Sequence, residues 1–252
     1  MLSKSKIKYI RSLEMKKFRA ESGCFLAEGN KLVKDIIPFF DCELVVAKPS
    51  WMAQQGDIRV NELISAEESD IKKASLLKSP QDVIAVFKQP NHQLNKEEIK
   101  QNLCLVLDGV QDPGNLGTIV RLADWFGIKN IICSPDTADI FNPKTVQATM
   151  GAIARVKVFY TPLPELLNDF IDFPVYGAFL EGKNIYEEKL PATGLIVMGN
   201  EGKGISRAIT RYITHKLYIP NYPQGTETTE SLNVAVATAI ICSEFRRNIY
   251  QV

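Results

Sequence analysis

"LDGVQDPGNLGTIVRLADWFGI", residues 107–128, is the stretch on which the fold reading turns. It begins as the end of an apolar strand. It then breaks at a turn holding an acid, a proline, two glycines and an asparagine. Beyond the turn, Leu116, Ile119, Val120 and Ala123 recur at helical spacing as one buried stripe, while Arg121 points roughly opposite its centre. Gly114 and Gly117 leave room for a backbone or a ligand to come close. Read alone, this is also what a well-capped strand-to-helix turn with a surface arginine looks like.

Working outward, the carboxyl half repeats the pattern. "LCLVLDG", "NIICS", "VKVFY", "PVYGAFLEG", "GLIVMGNEG" and "KLYIP" are short apolar runs, most of them separated by helical segments near 115–126, 143–150, 163–168 and 205–213. Continuous apolar runs of this length suit parallel strands covered on both faces. The half closes on a helix over 231–247, apolar on nearly every side from Leu232 to Cys242 and so expected to be buried all round. Ser231 is a good N-cap for it, and Arg246 and Arg247 suit its C-terminal end. Asn233, in the first turn of so apolar a helix, needs a polar partner if buried.

The amino half has a different texture. A helix is expected over about 5–21, then a strand at "CFLAEG" (24–29), a helix at "NKLVKDIIPFF" stopped by Pro38, and strands at 42–48 and 83–88. This predicts a small α/β domain over residues 1–90, a polar linker over 91–102 with a short helix near its end, and a parallel-sheet domain over 103–252.

Of 252 residues, 45% are hydrophobic and 23% charged, which excludes a disordered chain. No apolar run could span a bilayer, and the start, "MLSKSKIKYIRSLEMKK", has no signal-peptide core. Five scattered cysteines and two isolated histidines argue against a disulfide framework or a metal site, so the chain is expected to be cytoplasmic and metal-free. Net charge is only +1, but residues 1–22 carry Lys4, Lys6, Lys8, Arg11, Lys16, Lys17 and Arg19 against Glu14 and Glu21. Such a cluster can neutralise phosphates, although a solvated helix face has the same composition.

Two further loops carry unusual chemistry, and ligands of open parallel sheets bind at the carboxyl ends of strands. "VMGNEGKGIS" (197–206) is glycine-rich, but G-x-x-G-x-G is not the dinucleotide fingerprint, and Glu201 sits awkwardly against a pyrophosphate. "IPNYPQGTETTESLNVAVATAIICSEFRR" (219–247) leads into the closing helix.

In this order, "PGNLGTIVRLADWFG", "QATMGAIARVKV", "VMGNEGKGIS" and "IP…ESLNVAVATAI" resemble the SpoU (TrmH) branch of the SPOUT RNA methyltransferases. Residues 1–90, with "FLAEGNKLVKDII", resemble more loosely the ribosomal-protein-like substrate-binding domain often fused upstream. The resemblance implies an α/β fold: a parallel-sheet SPOUT domain with a C-terminal trefoil knot, preceded by a small α/β RNA-binding domain. It also implies S-adenosyl-L-methionine (SAM) as cofactor, a homodimer, and methyl transfer to a ribose 2′-hydroxyl of structured RNA, ribosomal before transfer RNA.

The site residues implied by the resemblance are Asn115, Arg121, Glu201, Ser231 and Asn233 for catalysis. For the cofactor they are Met150, Gly199, Asn200, Gly202, Gly204, Ile219 and Leu232. The basic residues of 1–22 would contact RNA. Arg121 would stand beside the hydroxyl and the adjoining phosphate. A guanidinium gives up its proton reluctantly, so an electrostatic role is expected ahead of general-base catalysis. Asn115 would orient Arg121 or the ribose, and Glu201 would position Arg121 or the cofactor's ammonium. The segment "NYPQGTETTE" is longer than the family pattern and adds Glu227 and Glu230 near the site. Two other readings compete: a non-catalytic RNA-binding or assembly protein keeping the fold, and a nucleotide-dependent oxidoreductase using "GNEGKG".

Overall fold

The computed structural model describes residues 2–223, 226 and 229–247. The chain forms two compact units, Met1–Asn91 with Asp139–Ala154, and His92–Ala138 with Arg155–Val252.

In the first unit the Ser3 hydroxyl caps α1 (Lys4–Ser12) by accepting the Lys6 N–H at 3.2 Å. A second helix, α2 (Lys16–Ser22), follows after a break. The single helix expected over 5–21 is therefore two. The cause is Arg19, whose buried guanidinium donates to the carbonyls of Leu13 at 2.9 Å and Glu14 at 2.7 Å. A continuous helix would have spent those carbonyls on its own ladder.

The chain continues through β1 (Cys24–Glu28), α3 (Asn30–Ile36), β2 (Cys42–Ala47), α4 (Pro49–Met52), β3 (Glu62–Ser65), α5 (Glu68–Ala74) and β4 (Val83–Lys88). Pro38 falls in a 3-10 turn after α3. The sheet order is β1-β4-β2-β3, with β4 antiparallel to both neighbours and β3 parallel to β2. Strand β3, not expected from the sequence, is a short edge whose residues are mostly exposed, so no apolar alternation marks it. β1 is buried on both faces. Leu26 joins Ile10, Leu13, Ile71 and Ile84 on one, and Phe25 lies among Phe40, Phe87 and Phe141 on the other, at 5.2, 5.5 and 5.0 Å between ring centroids.

The second unit opens with α6 (Lys96–Lys100), capped by Asn95 within the expected linker. It runs through β5 (Leu103–Asp108), α7 (Pro113–Trp125) and β6 (Asn130–Cys133). Next comes α8 (Pro143–Thr149), which groups with the first unit and lies against β1. The observed division thus differs from the expected one over Asp139–Ala154, where Asp139 also receives the Arg19 guanidinium at 2.6 Å. The second unit resumes with β7 (Lys157–Tyr160), α9 (Leu163–Asn168), β8 (Val175–Phe179), β9 (Lys183–Asn184), β10 (Gly194–Gly199), α10 (Arg207–Thr210), β11 (His215–Tyr218) and α11 (Val234–Arg247).

These seven strands form one all-parallel sheet, ordered β7-β6-β5-β10-β8-β11-β9. Val106, Leu195 and Val197 face Leu163, Leu167 and Ile209 from α9 and α10. The alternate residue Tyr176 meets Phe245 of α11 edge-on at 5.0 Å, and α11 packs along α7. From β5 the chain moves outward to β6 and β7, and it later returns to build the other side beginning at β10 and β8. The strand order reverses between β5 and β10, where open parallel sheets leave a crevice at their carboxyl ends.

Candidate active site

The loops after β5 and β10 meet at that crevice and are laced together. Asp108, the last residue of β5, accepts the Ser206 N–H at 2.7 Å. Asn200 donates to the Gly109 carbonyl at 2.7 Å, while its Oδ1 accepts the N–H groups of Gly202 and Lys203, each at 3.0 Å. Asn200 and Gly204 also exchange backbone hydrogen bonds at 3.0 and 2.9 Å. The chain therefore doubles back on itself, and Gly199 is where it does so. A Cβ there would lie 2.2 Å from the carbonyl carbon of Gly204, which no side chain can accommodate. Gly204 completes the turn with φ +68°, and nothing lies within 4 Å of where its Cβ would stand.

Glu201, carried on this turn, reaches the first loop. Its carboxylate accepts the backbone N–H groups of Gln111 at 3.2 Å and Asp112 at 3.1 Å, and Nδ2 of Asn115 at 3.1 Å. Burial alone would raise its pKa, but these donors together outweigh it and hold the carboxyl below the usual glutamate range. Asn115 itself stands in the first turn of α7, which begins with Pro113 and is capped by Asp112 at 2.9 Å.

The third loop arrives from β11, two strands beyond β10, and ends at Asn233. Nδ2 of Asn233 donates to Oδ1 of Asn115 at 3.0 Å, while its own Oδ1 accepts the Ala235 and Val236 N–H groups at 2.9 and 3.3 Å. Asn233 is therefore the N-cap of α11, and the expectation of Ser231 in that role is corrected: the helix starts three residues later. At the far end, Nε of Arg246 donates to the Phe126 carbonyl at 2.8 Å, closing α7. Helices α7 and α11 are thus parallel neighbours, pinned at both ends.

Asn115, Glu201 and Asn233 accordingly form one chain of hydrogen bonds. Of the two roles expected for each of Asn115 and Glu201, the one toward Arg121 is not seen. Neither Glu201 nor Asn115 orients Arg121, because both are spent on each other, on Asn233 and on the first loop. Arg121 is exposed and makes no hydrogen bond or ion pair among the described residues. Ser231 is likewise exposed and unbonded among them. Val236 on α11 is 50% exposed, and Leu232, just before the helix, is 48% exposed, which corrects the expectation of burial on all sides over Leu232 to Cys242. Ile219 is half-buried just past β11, and Glu230 is exposed, whereas Glu227 lies outside the described residues.

Met150 belongs to the first unit, where it ends α8 with φ 50°, a left-handed conformation unusual for a side chain without a local hydrogen-bonding group. Of the basic cluster, Arg19 is corrected outright: it is 2% exposed and bound to Asp139 and two carbonyls, so it holds the fold and meets no RNA. Lys6 pairs with Glu62, Lys17 with Glu21, and Arg11 donates to the carbonyls of Lys73 and Ser75. Lys4, Lys8 and Lys16 are exposed without an ion-pair partner among the described residues.

Sequence reasoning missed Asp108. An acid closing an otherwise apolar parallel strand was the available signal. Among the described residues, no three His, Cys, Asp or Glu side chains gather as a metal site, and no helix is long and apolar enough to cross a membrane.

Residues 102–243 match the SpoU rRNA methylase family model, and residues 4–85 match an MRM3-like substrate-binding domain. The chain is 31% identical to the 23S rRNA (guanosine(2553)-2′-O)-methyltransferase RlmP of Bacillus subtilis, over 96% of each chain. A solved structure from Porphyromonas gingivalis, assigned to the TrmH family of RNA methyltransferases, superposes with a TM-score of 0.89 at 43% identity, covering 98% of this chain and 99% of that one. An AdoMet-bound rRNA methyltransferase from Sinorhizobium meliloti superposes with a TM-score of 0.81 at 30% identity, covering 99% and 97%.

Proposed function

The chain belongs to the SpoU rRNA methylase family, and we propose that it transfers a methyl group from SAM to a ribose 2′-hydroxyl of ribosomal RNA. The observation that carries this reading is the convergence of Asn115, Glu201 and Asn233 from three separate loops, with Arg121 left unpaired on the helix that bears Asn115. The cytoplasm, where ribosomal RNA is modified in bacteria, is the location this reading assigns.

The crevice suits the cofactor. Its loops present backbone groups and an open face at Gly204, and the Glu201 carboxylate already accepts from three donors. Backbone of Gly199, Gly202, Gly204, Ile219 and Leu232 would hold adenosine, with Asn200 acting through the turn it builds. When bound, SAM supplies an electrophilic methyl group on a sulfonium. Arg121 grips the phosphate next to the target ribose and stabilises negative charge developing on the 2′-oxygen. Asn115 and Asn233 hold their amides in fixed orientations, which aligns the ribose at no cost during reaction. Glu201 stays ionised and fully hydrogen-bonded, so it is no proton acceptor, and the hydroxyl proton leaves to water.

Two features support a homodimer: the half-exposed Leu232 just before α11 with Val236 on it, and Trp125, 83% exposed at the end of α7. That Asn233, on the segment following β11, bonds to Asn115 at the start of α7 supports the trefoil knot. Of the basic cluster over 1–22, Lys4, Lys8 and Lys16 are the exposed cations without an ion-pair partner among the described residues, and they support a phosphate-binding role for the first unit.

The test is transfer from tritiated SAM to a 23S rRNA transcript, with labelled nucleosides identified after digestion. Label at a ribose 2′-oxygen is expected. Arg121→Ala should lower kcat about 100- to 1,000-fold while SAM affinity stays within about twofold. Unchanged kcat would remove the assigned role.

A further inference from the structure

We infer that Lys203 and Arg207 form a phosphate-binding track on the β10 side of the crevice, engaging the RNA strand beside the nucleotide that Arg121 receives. This rests on the methyltransferase reading above. The Lys203 backbone is fixed, since its N–H is bound by Asn200 Oδ1 and the turn around it is closed by the paired bonds of Asn200 and Gly204. Arg207 begins α10 directly after Ser206, whose N–H is tied to Asp108. Both side chains are exposed, and neither makes an ion pair or side-chain hydrogen bond among the described residues.

That freedom contrasts with much of the same unit. Lys96, Lys100, Arg155, Lys157, Lys183 and Arg247 are all paired with carboxylates. The acids of the loops after β5 and β10 keep their charge but direct their oxygens at N–H groups rather than at Lys203 or Arg207. Glu201 holds Gln111, Asp112 and Asn115; Asp108 holds Ser206; and Asp112 caps α7. Asp136, an exposed acid at this end of the sheet, sits beside Gly109 after β6, on the opposite flank of β5 from β10. Lys203 and Arg207 therefore offer a polyanion entering the crevice unpaired cations on the β10 flank. Because the turn is built in advance, little backbone ordering opposes the contact.

The experiment measures binding of the full chain to a 23S rRNA transcript across a salt series, with SAM affinity by calorimetry alongside. Lys203→Glu and Arg207→Glu should each weaken RNA binding about tenfold or more. Lys203→Ala should reduce the salt slope by about one, and Lys203→Arg should restore it. SAM affinity should stay within about twofold, which excludes collapse of the turn as the cause. Variants that bind RNA with wild-type affinity and slope would overturn the track while leaving the methyltransferase reading intact. A wild-type chain that neither binds nor labels RNA would overturn both.

Discussion

The side-chain amide of Asn233 donates to the side-chain oxygen of Asn115 at 3.0 Å, joining the start of α11 to the first turn of α7. One amide thereby caps its own helix and sets the orientation of another, which in turn reaches Glu201 at 3.1 Å. The cluster is a relay of orientation, and its members should not behave independently.

Asn115→Ala and Asn233→Ala should each lower kcat more than they raise KM for RNA. Their effects should be sub-additive, with a coupling in unfolding free energy of about 1 kcal/mol. A double-mutant cycle on both quantities measures this. Strict additivity would mean that the 3.0 Å bond carries nothing.

Glu201 sets an acid limit. Its carboxyl is held below the ordinary value, so its contribution to stability is present above 4.5, the unfolded reference, and is lost as pH falls through the lower folded value. Melting curves between about pH 3 and 7 should show this loss in the wild type, and Glu201→Gln should flatten it. The variant should also lower kcat at neutral pH, because an amide oxygen anchors the first loop less strongly than a carboxylate.

Arg19→Ala should destabilise the protein by about 3–5 kcal/mol, since Asp139 and two carbonyls lose their donor. Measured below its melting temperature, the variant should keep the wild-type salt slope for RNA binding. A shallower slope would restore Arg19 to the RNA-contacting set.

Much of this architecture was legible in the chain because it is written locally. Runs such as "LCLVLD" and "GLIVMG" declare strands buried on both faces, and Asp112-Pro113 marks the start of α7. What escaped depends on partners far away in sequence. The break between α1 and α2 follows from a guanidinium whose carboxylate lies 120 residues on. Whether Leu232 and Val236 are covered is not a matter of periodicity, which marks a face as apolar without saying what lies against it. The motif order identified Glu201, but only the fold reveals that the backbone of Gln111 and Asp112 consumes it.

Pinning α7 to α11 at both ends also has a bearing on biosynthesis. The loops after β5 and β10 leave the ribosome well before the segment that latches them, so a nascent chain carries the parts of the crevice without its clasp. Chains released before Asn233 is translated should therefore be inert.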